Sequence, residues 1–248
     1  MKTISVHLQK GGVGKTSISG NIAYLLSKKG RTVLVDADPQ GNSSSWYNKD
    51  LFDPKYELAD VLLGKCELKE ALHKVRDNLW LVPTFGLDGD LKMYAETQLS
   101  NEPFIFEDVT EALKQLGFEY VVFDLSPGIG RLEKAVLLAS SEILVPMLAD
   151  SFSLDGLEIF SNELTKLGKA YRRTISHNKL IVNAIDQRKL LHGEIVSLIP
   201  AHLNTYQIPT DPAFSKAQAS GKAIFELLHT EAPKKATVQA LEALARDL

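Results

Sequence analysis

Two hydrophobic patterns alternate along the chain. Short runs of consecutive apolar residues recur, which is typical of strands buried on both faces of a parallel sheet. Between them apolar residues return every three or four positions, as in residues 16–29, where Ile18, Ile22, Leu25 and Leu26 lie on one helical face. The pattern predicts strands at 4–8, 33–35, 79–82, 120–123, 143–145 and 180–182, a further strand ending at Ile208 and Pro209, and helices that include 16–29, 104–116 and 154–167.

Strands that alternate with helices predict an α/β fold. We expect a mostly parallel, twisted sheet with right-handed crossovers and helices on both faces. No repeat, low-complexity tract or linker interrupts the pattern, so we expect a single domain over residues 1–248. Ligands bind such sheets at the carboxyl ends of the strands. The segments that directly follow strand candidates, where we expect the chemistry to converge, are 9–16, 36–42, 124–130, 183–188 and 209–214.

The segment QKGGVGKTS at residues 9–17 nearly fits the phosphate-loop pattern G-x-x-x-x-G-K-[ST], with Gln9 in place of the first glycine. Its glycines let backbone N–H groups approach an anion, and the helix that follows adds its N-terminal dipole. We expect the Lys15 ammonium to bind the β- and γ-phosphates, the Thr16 hydroxyl to be a ligand of Mg²⁺, and Ser17 to donate to the α-phosphate. The residues predicted to bind nucleotide here are Gly11, Gly12, Val13, Gly14, Lys15, Thr16 and Ser17.

A second lysine, Lys10, begins the same loop that Lys15 ends. Both lysines can hardly wrap the same phosphates from within one chain. Lys10 either points outward to a nucleotide held by a second subunit, as an arginine finger supplied in trans does, or is a solvated surface lysine. Spacing alone leaves these two interpretations open.

Carboxylates follow two further strand candidates. Asp36 and Asp38 are two positions apart, so their side chains share a face and can point toward the phosphate loop. Two carboxylates at this place could hold a metal-bound water and orient an attacking water. The same residues are equally compatible with an acidic turn at the end of the strand. Asp124 ends the apolar run 121–123, the form of a Walker B element, and we expect it to reach Mg²⁺ through water.

Two of these motifs resemble a known family. The run KGGVGKT at 10–16 resembles the deviant Walker A box of the ParA/MinD ATPases, and DADPQGN at 36–42 resembles the D-x-D-P-Q-G-N box of ParA proteins. The resemblance implies that Lys10 contacts the partner's nucleotide in an ATP-sandwich dimer. It also implies that Asp38 is required for hydrolysis, together with Lys10 and Lys15, and that Asp36 has a metal-shell or structural role.

The resemblance extends over essentially the whole chain. The segment DLSPGIG at 124–130 is similar to the family's switch loop, usually D-x-P-P-x-x-G, and we expect Ser126, in place of the first proline, to loosen it. In the family an asparagine near position 183 reads adenine, and the strand ending at Pro209 closes the base pocket. Asn183 is equally compatible with a plain turn residue.

The resemblance implies a partition function. ParA-like proteins form ATP-dependent homodimers that bind non-specific DNA, and a ParB-like partner stimulates their slow ATP hydrolysis to segregate a plasmid or chromosome. The alternative is a ParA/MinD-like ATPase that positions a protein or membrane-associated cargo. The C-terminal segment 237–248 is Ala-rich and lacks aromatic residues, so we expect it to pack on the domain and expect no membrane partner. The chain resembles the short form of ParA, without an N-terminal DNA-binding domain.

Charge and cysteine content bear on which partners and which related protein classes are compatible with this sequence. The formal net charge of -3 gives no overall basic character, and residues 210–214 contain no basic residue. We therefore hypothesise DNA contacts through Lys216 and Lys222. The basic pairs at 172–173 and 234–235 are alternative phosphate contacts, and ordinary solvated lysines would give the same pattern. Cys66 is the only cysteine, which excludes the paired cysteines of a nitrogenase-iron-protein-like reductase. With no signal peptide or membrane span we expect a cytoplasmic protein, associated with the nucleoid when ATP-bound. A P-loop ligase such as dethiobiotin synthetase would need a carboxylate-substrate pocket that we cannot identify.

Overall fold

Eight strands form one sheet in this computed structural model, which describes residues 1–47, 54–86, 89–99, 102–186 and 188–248. The strands follow the order β3-β4-β2-β5-β1-β6-β7-β8 across the sheet. They are β1 (Lys2–Val6), β2 (Thr32–Ala37), β3 (His73–Arg76), β4 (Leu79–Val82), β5 (Tyr120–Leu125), β6 (Glu142–Leu148), β7 (Lys179–Ile185) and β8 (Asn204–Pro209).

The sheet is parallel except at one edge. Strand β1 lies at the centre, paired in parallel with β5 and β6, and β3 pairs antiparallel with β4. The predicted α/β fold with a mostly parallel sheet is therefore confirmed. The hydrophobic pattern missed β3, because this four-residue edge strand buries only Val75 and has no apolar run.

Helices cover both faces of the sheet. Those in the described residues are α1 (Lys15–Ser27), α2 (Asn42–Tyr47), α3 (Leu58–Leu62), α4 (Leu91–Thr97), α5 (Ile105–Gln115), α6 (Arg131–Ala139), α7 (Ser151–Tyr171), α8 (Leu190–Ser197), α9 (Ala213–Ala219) and α10 (Lys235–Arg246). One hydrophobic core lies under α5, α6 and α7, and the other under α1 and α10. The two cores lie on opposite faces of the sheet, because successive side chains along a strand point to opposite faces. Ile4 and Val6 of β1, for example, face the core under α1 and α10.

Predicted element ends shift by a few residues. Helix α7 begins earlier than the predicted residue 154, because Asp150 caps it by accepting a hydrogen bond from the Ser153 N–H at 2.7 Å. Helix α10 buries Leu241 and Leu244 fully and packs on β8 and α1, as predicted for the C-terminal segment. Among the helices described, none combines the length and the apolar character needed to cross a bilayer.

His7 is a buried titratable group at the centre of the fold. It follows β1, its backbone N–H donates to the Leu144 carbonyl at 2.9 Å, and its ring packs edge-on against Phe160 at a centroid distance of 5.2 Å. Burial, reinforced by the positive charge of Lys15, lowers the pKa of His7 from 6.5 to about 3. The imidazole is therefore neutral in the folded protein at physiological pH.

Mildly acidic solution should destabilise the protein through His7. Below pH 6.5 the unfolded chain binds a proton at His7 that the folded chain does not bind until about pH 3. The neutral, buried His7 therefore lowers the free energy of unfolding as the pH falls below 6.5. At pH 5 the loss is roughly 2 kcal/mol relative to neutral pH. In His7→Asn the loss of stability between pH 7 and pH 5, measured by urea unfolding, should be smaller by about that amount. His229→Asn, at an exposed histidine, is the control, and equal pH dependence in both variants would contradict the prediction.

Candidate active site

The phosphate loop joins β1 to α1 at the carboxyl end of the central strand. Gly12 has φ 73° and Gly14 has φ 94°, backbone conformations that side chains rarely adopt. A Cβ at Gly14 would also lie 2.3 Å from the Asn183 amide nitrogen. The loop is therefore a backbone cradle at the start of a 13-residue helix, the geometry that binds anionic groups.

Lys15 is buried inside this cradle, with 7% of its surface exposed. Its ammonium donates to the Lys10 carbonyl oxygen at 2.9 Å. Burial lowers the pKa of Lys15, and the carboxylates of Asp124, Asp38 and Glu133 act in the opposite direction. Because the Lys15 ammonium is largely desolvated, it can replace its hydrogen bond to the Lys10 carbonyl with stronger, charge-assisted bonds to phosphate oxygens.

Lys10 points away from the loop that contains it. Its ammonium lies 2.9 Å from both carboxylate oxygens of Asp150 and 2.9 Å from the Ser153 hydroxyl, at the start of α7. Partial burial alone would raise the pKa of Asp150, but hydrogen bonds from Lys10 and Ser153 hold it below its usual value. Lys10 is thus ion-paired in the isolated chain, and any action on a second subunit requires it to leave Asp150.

Asp36 and Asp124 form a buried pair of carboxylates. They are direct partners in the β2–β5 register, and each is 0% exposed. Burial and the charge of Asp124 raise the pKa of Asp36 well above its usual value, and burial raises the pKa of Asp124. Asp36 accepts hydrogen bonds from the N–H and hydroxyl of Ser44, both at 2.7 Å, so the structure gives it a role in the strand-end turn. A metal role for Asp36 stays a prediction.

Asp124 has the features of a cation ligand. Its Oδ2 accepts from the Ser43 hydroxyl at 2.6 Å, whereas its buried Oδ1 has no hydrogen-bond partner within the described ranges. The Thr16 hydroxyl lies beside the same carboxylate. In the described part of the chain, no cluster of three or more His, Cys, Asp or Glu side chains could hold a metal by itself. A cation at Thr16 and Asp124 would need oxygens from the bound ligand, as Mg²⁺ at nucleotide sites does.

Asp38 lies on the same side of the site as Lys15. It is 6% exposed, its Oδ1 accepts from the Gln40 N–H at 2.9 Å, and its charge acts on both Lys15 and Asp124. The i, i+2 spacing of Asp36 and Asp38 therefore brings two carboxylates to the site with different surroundings. Asp36 is held in the turn, and Asp38 stands nearer the loop lysine.

Asn183, predicted to read adenine, lies against the phosphate loop. Residue 187 of the predicted strand-end segment 183–188 is outside the described residues. The Asn183 amide donates to the Val13 carbonyl at 3.0 Å, and its oxygen accepts from the Ala184 N–H at 2.9 Å. Ala184 has φ 55°, and its carbonyl accepts from the Thr210 hydroxyl at 3.0 Å, which ties this turn to the segment after Pro209. The amide of Asn183 keeps one donor and one acceptor position for a base, so base recognition stays a prediction.

Several site residues carried no local sequence signal. Gln218 of α9 donates to the Ser17 hydroxyl at 3.0 Å, although the two are 201 residues apart. A cavity of about 560 Å³ beside the loop is lined by Thr16, Asn42, Ser45, Trp46 and Gln218. For Asp150, the partner of Lys10, the sequence indicates only a helix N-cap residue and gives no sign of the ion pair. Of the predicted DNA contacts, Lys216 on α9 pairs with Glu231 at 3.5 Å. Lys222 is exposed just after that helix, and its backbone carbonyl accepts from the Trp46 ring N–H at 2.9 Å.

Known proteins are similar to this chain in sequence and in overall fold. A family model described as an AAA domain matches residues 1–177. An uncharacterized Borreliella burgdorferi protein, BBD21, is 33% identical over 91% of this chain and 92% of its own length. The chromosome partitioning protein ParA of Caulobacter vibrioides is 28% identical over 90% of this chain and 86% of its own. The septum site-determining protein MinD of Pyrococcus horikoshii, solved with Mg-ADP, superposes with a TM-score of 0.78 at 21% identity, covering 99% of this chain and 95% of that one.

Proposed function

Because the chain belongs to the ParA/MinD family of P-loop ATPases, we propose that it is an ATPase that dimerises on ATP and hydrolyses it slowly. The ATP-bound dimer binds DNA without sequence preference, and a ParB-like partner stimulates hydrolysis. The cycle of dimerisation and release segregates or positions a plasmid or chromosome. The protein is then cytoplasmic, and its ATP-bound form is associated with the nucleoid.

The opposite placement of the two loop lysines carries this proposal. Lys15 is buried among the loop amides, whereas the Lys10 ammonium lies outside the loop, at Asp150 and Ser153. Only Lys15 therefore serves the phosphates of its own chain. A cation on the outer side of a phosphate site suits a second nucleotide, brought by a second copy that faces the first.

Within one subunit, binding uses groups that are already oriented. Residues 11–17 present N–H groups and hydroxyls to the phosphates, and Lys15 exchanges the Lys10 carbonyl for phosphate oxygens. Thr16 and Asp124 would hold Mg²⁺, with Asp36 as the neighbouring carboxylate, which fits an Asp124 Oδ1 that has no hydrogen-bond partner among the described residues. The Mg-ADP complex of the Pyrococcus MinD supports this metal. When bound, Mg²⁺ neutralises charge on the phosphates.

Hydrolysis depends on how the water is placed. Asp38 is fixed by the Gln40 N–H and stands near Lys15, so its carboxylate can accept a hydrogen bond from the attacking water and orient it. Lys15, and Lys10 from the partner copy, stabilise negative charge on the transferring phosphoryl group. Asn183 and Pro209 border the base, and Gln218 ties α9 to Ser17 of the loop.

Non-specific DNA binding should depend on ATP, on Lys216 in α9 and on Lys222 just after that helix. ATP-loaded protein should be retained by duplex DNA at low salt, and ADP-loaded protein should not. A dimer presents Lys216 and Lys222 twice, and each neutralised phosphate contributes about 0.9 to the slope of log K against log salt. The Lys216→Ala/Lys222→Ala variant should lower that slope by roughly 2 to 4. Its control is Lys69→Ala/Lys114→Ala, at two exposed lysines that have acidic partners as Lys216 does.

Other outcomes of the binding experiment would count against parts of the proposal. A protein that dimerises only with ATP but binds no DNA at any salt concentration would contradict the proposed DNA binding. It would favour the alternative, an ATPase that positions a protein or membrane-associated cargo. Equal loss of retention in the control variant would contradict the assignment to Lys216 and Lys222. A chain that stays monomeric with every nucleotide would contradict the dimerising ATPase itself.

A further inference from the structure

A buried carboxylate closes the loop at residues 126–130, which joins β5 to α6. One oxygen of Glu133 accepts from the Ser126 hydroxyl, and the other accepts from the Gly130 N–H at 2.8 Å. The Ser126 oxygen in turn accepts from the Gly128 N–H at 3.2 Å. We call the pair Ser126 and Glu133 the loop clasp, because together they bind the loop near both of its ends.

The loop clasp reverses what the sequence predicted for Ser126. A serine in place of the family's usual proline was expected to loosen this loop, but its hydroxyl ties the loop to α6. Proline has no hydroxyl and could not make this bond. The clasp therefore depends on this chain's own residue at 126.

The charge of the clasp acts on the lysine of the phosphate loop. Glu133 is only 5% exposed, and its carboxylate is among those that act on Lys15. It stands at the third position of α6, where the helix dipole favours negative charge. Substrate phosphates that draw the Lys15 ammonium toward themselves would weaken its interaction with Glu133. The clasp is thus placed to respond to the terminal phosphate.

We propose that Ser126 restrains basal hydrolysis, acting through the loop clasp, which holds loop 126–130 against α6. This inference rests on the proposed ATPase function. In the clasped position the N–H groups of Gly128 and Gly130 are donated to Ser126 and Glu133. Donors committed to Ser126 and Glu133 are not available to a phosphoryl group, so the loop must be released before it can contribute to the transition state. The clasp thereby keeps basal turnover slow.

Removing the hydroxyl should accelerate basal hydrolysis. Ser126→Ala should raise kcat for ATP at least fivefold with a change in KM below twofold, because the groups that bind ATP are unaffected. Ser126→Thr, which restores a hydroxyl, should return kcat to within twofold of the wild type. Ser140→Ala is the matched control, because it removes a hydroxyl that bonds within α6 at its other end, and it should leave kcat unchanged.

Amide hydrogen exchange tests the clasp without relying on activity. In nucleotide-free protein the peptide containing residues 126–130 should exchange at least fivefold faster in Ser126→Ala and in Glu133→Ala than in the wild type or in Ser140→Ala. Unchanged exchange and unchanged kcat in Ser126→Ala would overturn the inference, as would a lower kcat. If the wild type does not hydrolyse ATP, the proposed function fails, whereas the exchange result still decides whether the clasp holds the loop.

Discussion

Asp38→Ala should reduce ATP hydrolysis by at least about 100-fold and leave the ATP-bound dimer intact. Orientation of water by a positioned carboxylate contributes roughly 10²- to 10⁴-fold to such reactions. Asp38 is held for that role by the Gln40 N–H and is close to Lys15, but it is not one of the groups that cradle the phosphates. Its removal also takes a negative charge away from the place where phosphates bind, so ATP affinity should be unchanged or higher.

The measurement is single-turnover hydrolysis together with light scattering after size-exclusion chromatography, with ADP and with ATP. Asp38→Asn keeps the shape of the side chain and should lose hydrolysis to the same extent. The control is Asp77→Ala, at a turn aspartate whose side chain is 97% exposed. If Asp38→Ala hydrolyses ATP within tenfold of the wild type, another group orients the water. If it is monomeric with ATP, Asp38 supports dimerisation instead.

Lys10→Ala should bind ATP as a monomer but lose the ATP dimer. Its ammonium lies at the start of α7, outside its own phosphate loop, so removal leaves the contacts of one subunit with its nucleotide in place. A symmetric dimer would lose two charge-assisted contacts to phosphate, about 3 kcal/mol or more in total. The dimerisation constant should therefore weaken roughly 100-fold or more, measured by light scattering over a range of protein concentrations with ATP.

Asp150→Asn is the informative counterpart, because it frees Lys10 without removing it. The Lys10–Asp150 pair has side chains that are 29% and 34% exposed, so it contributes about 1 kcal/mol or less in each subunit. Its loss should favour the ATP dimer several-fold, the opposite direction from Lys10→Ala. A Lys10→Ala protein that dimerises normally with ATP would contradict the role in trans, and dimerisation weakened by both substitutions would show that the ion pair itself supports the interface.

The sequence by itself determined the fold class and the central chemistry. Apolar runs and helical spacing are local consequences of which face each segment buries, so strands such as β4 and β5 could be placed to within a few residues. A glycine loop between a strand and a helix has one common physical use, so the phosphate cradle with Lys15 was also predictable. Carboxylates at strand ends in a parallel sheet had to meet there, and Asp36 and Asp124 became direct neighbours.

Only the tertiary structure decided which distant side chains touch. Lys10 meets Asp150 across 140 residues, and Gln218 meets Ser17 across 201, because strand order and helix crossings bring those elements together. Within seven residues, Ser126 and Glu133 pair only because the loop folds back on α6. The edge strand β3 likewise has little apolar pattern and exists through its pairing with β4. Local patterns encode burial, whereas the partners of a polar side chain depend on the three-dimensional arrangement of the whole chain.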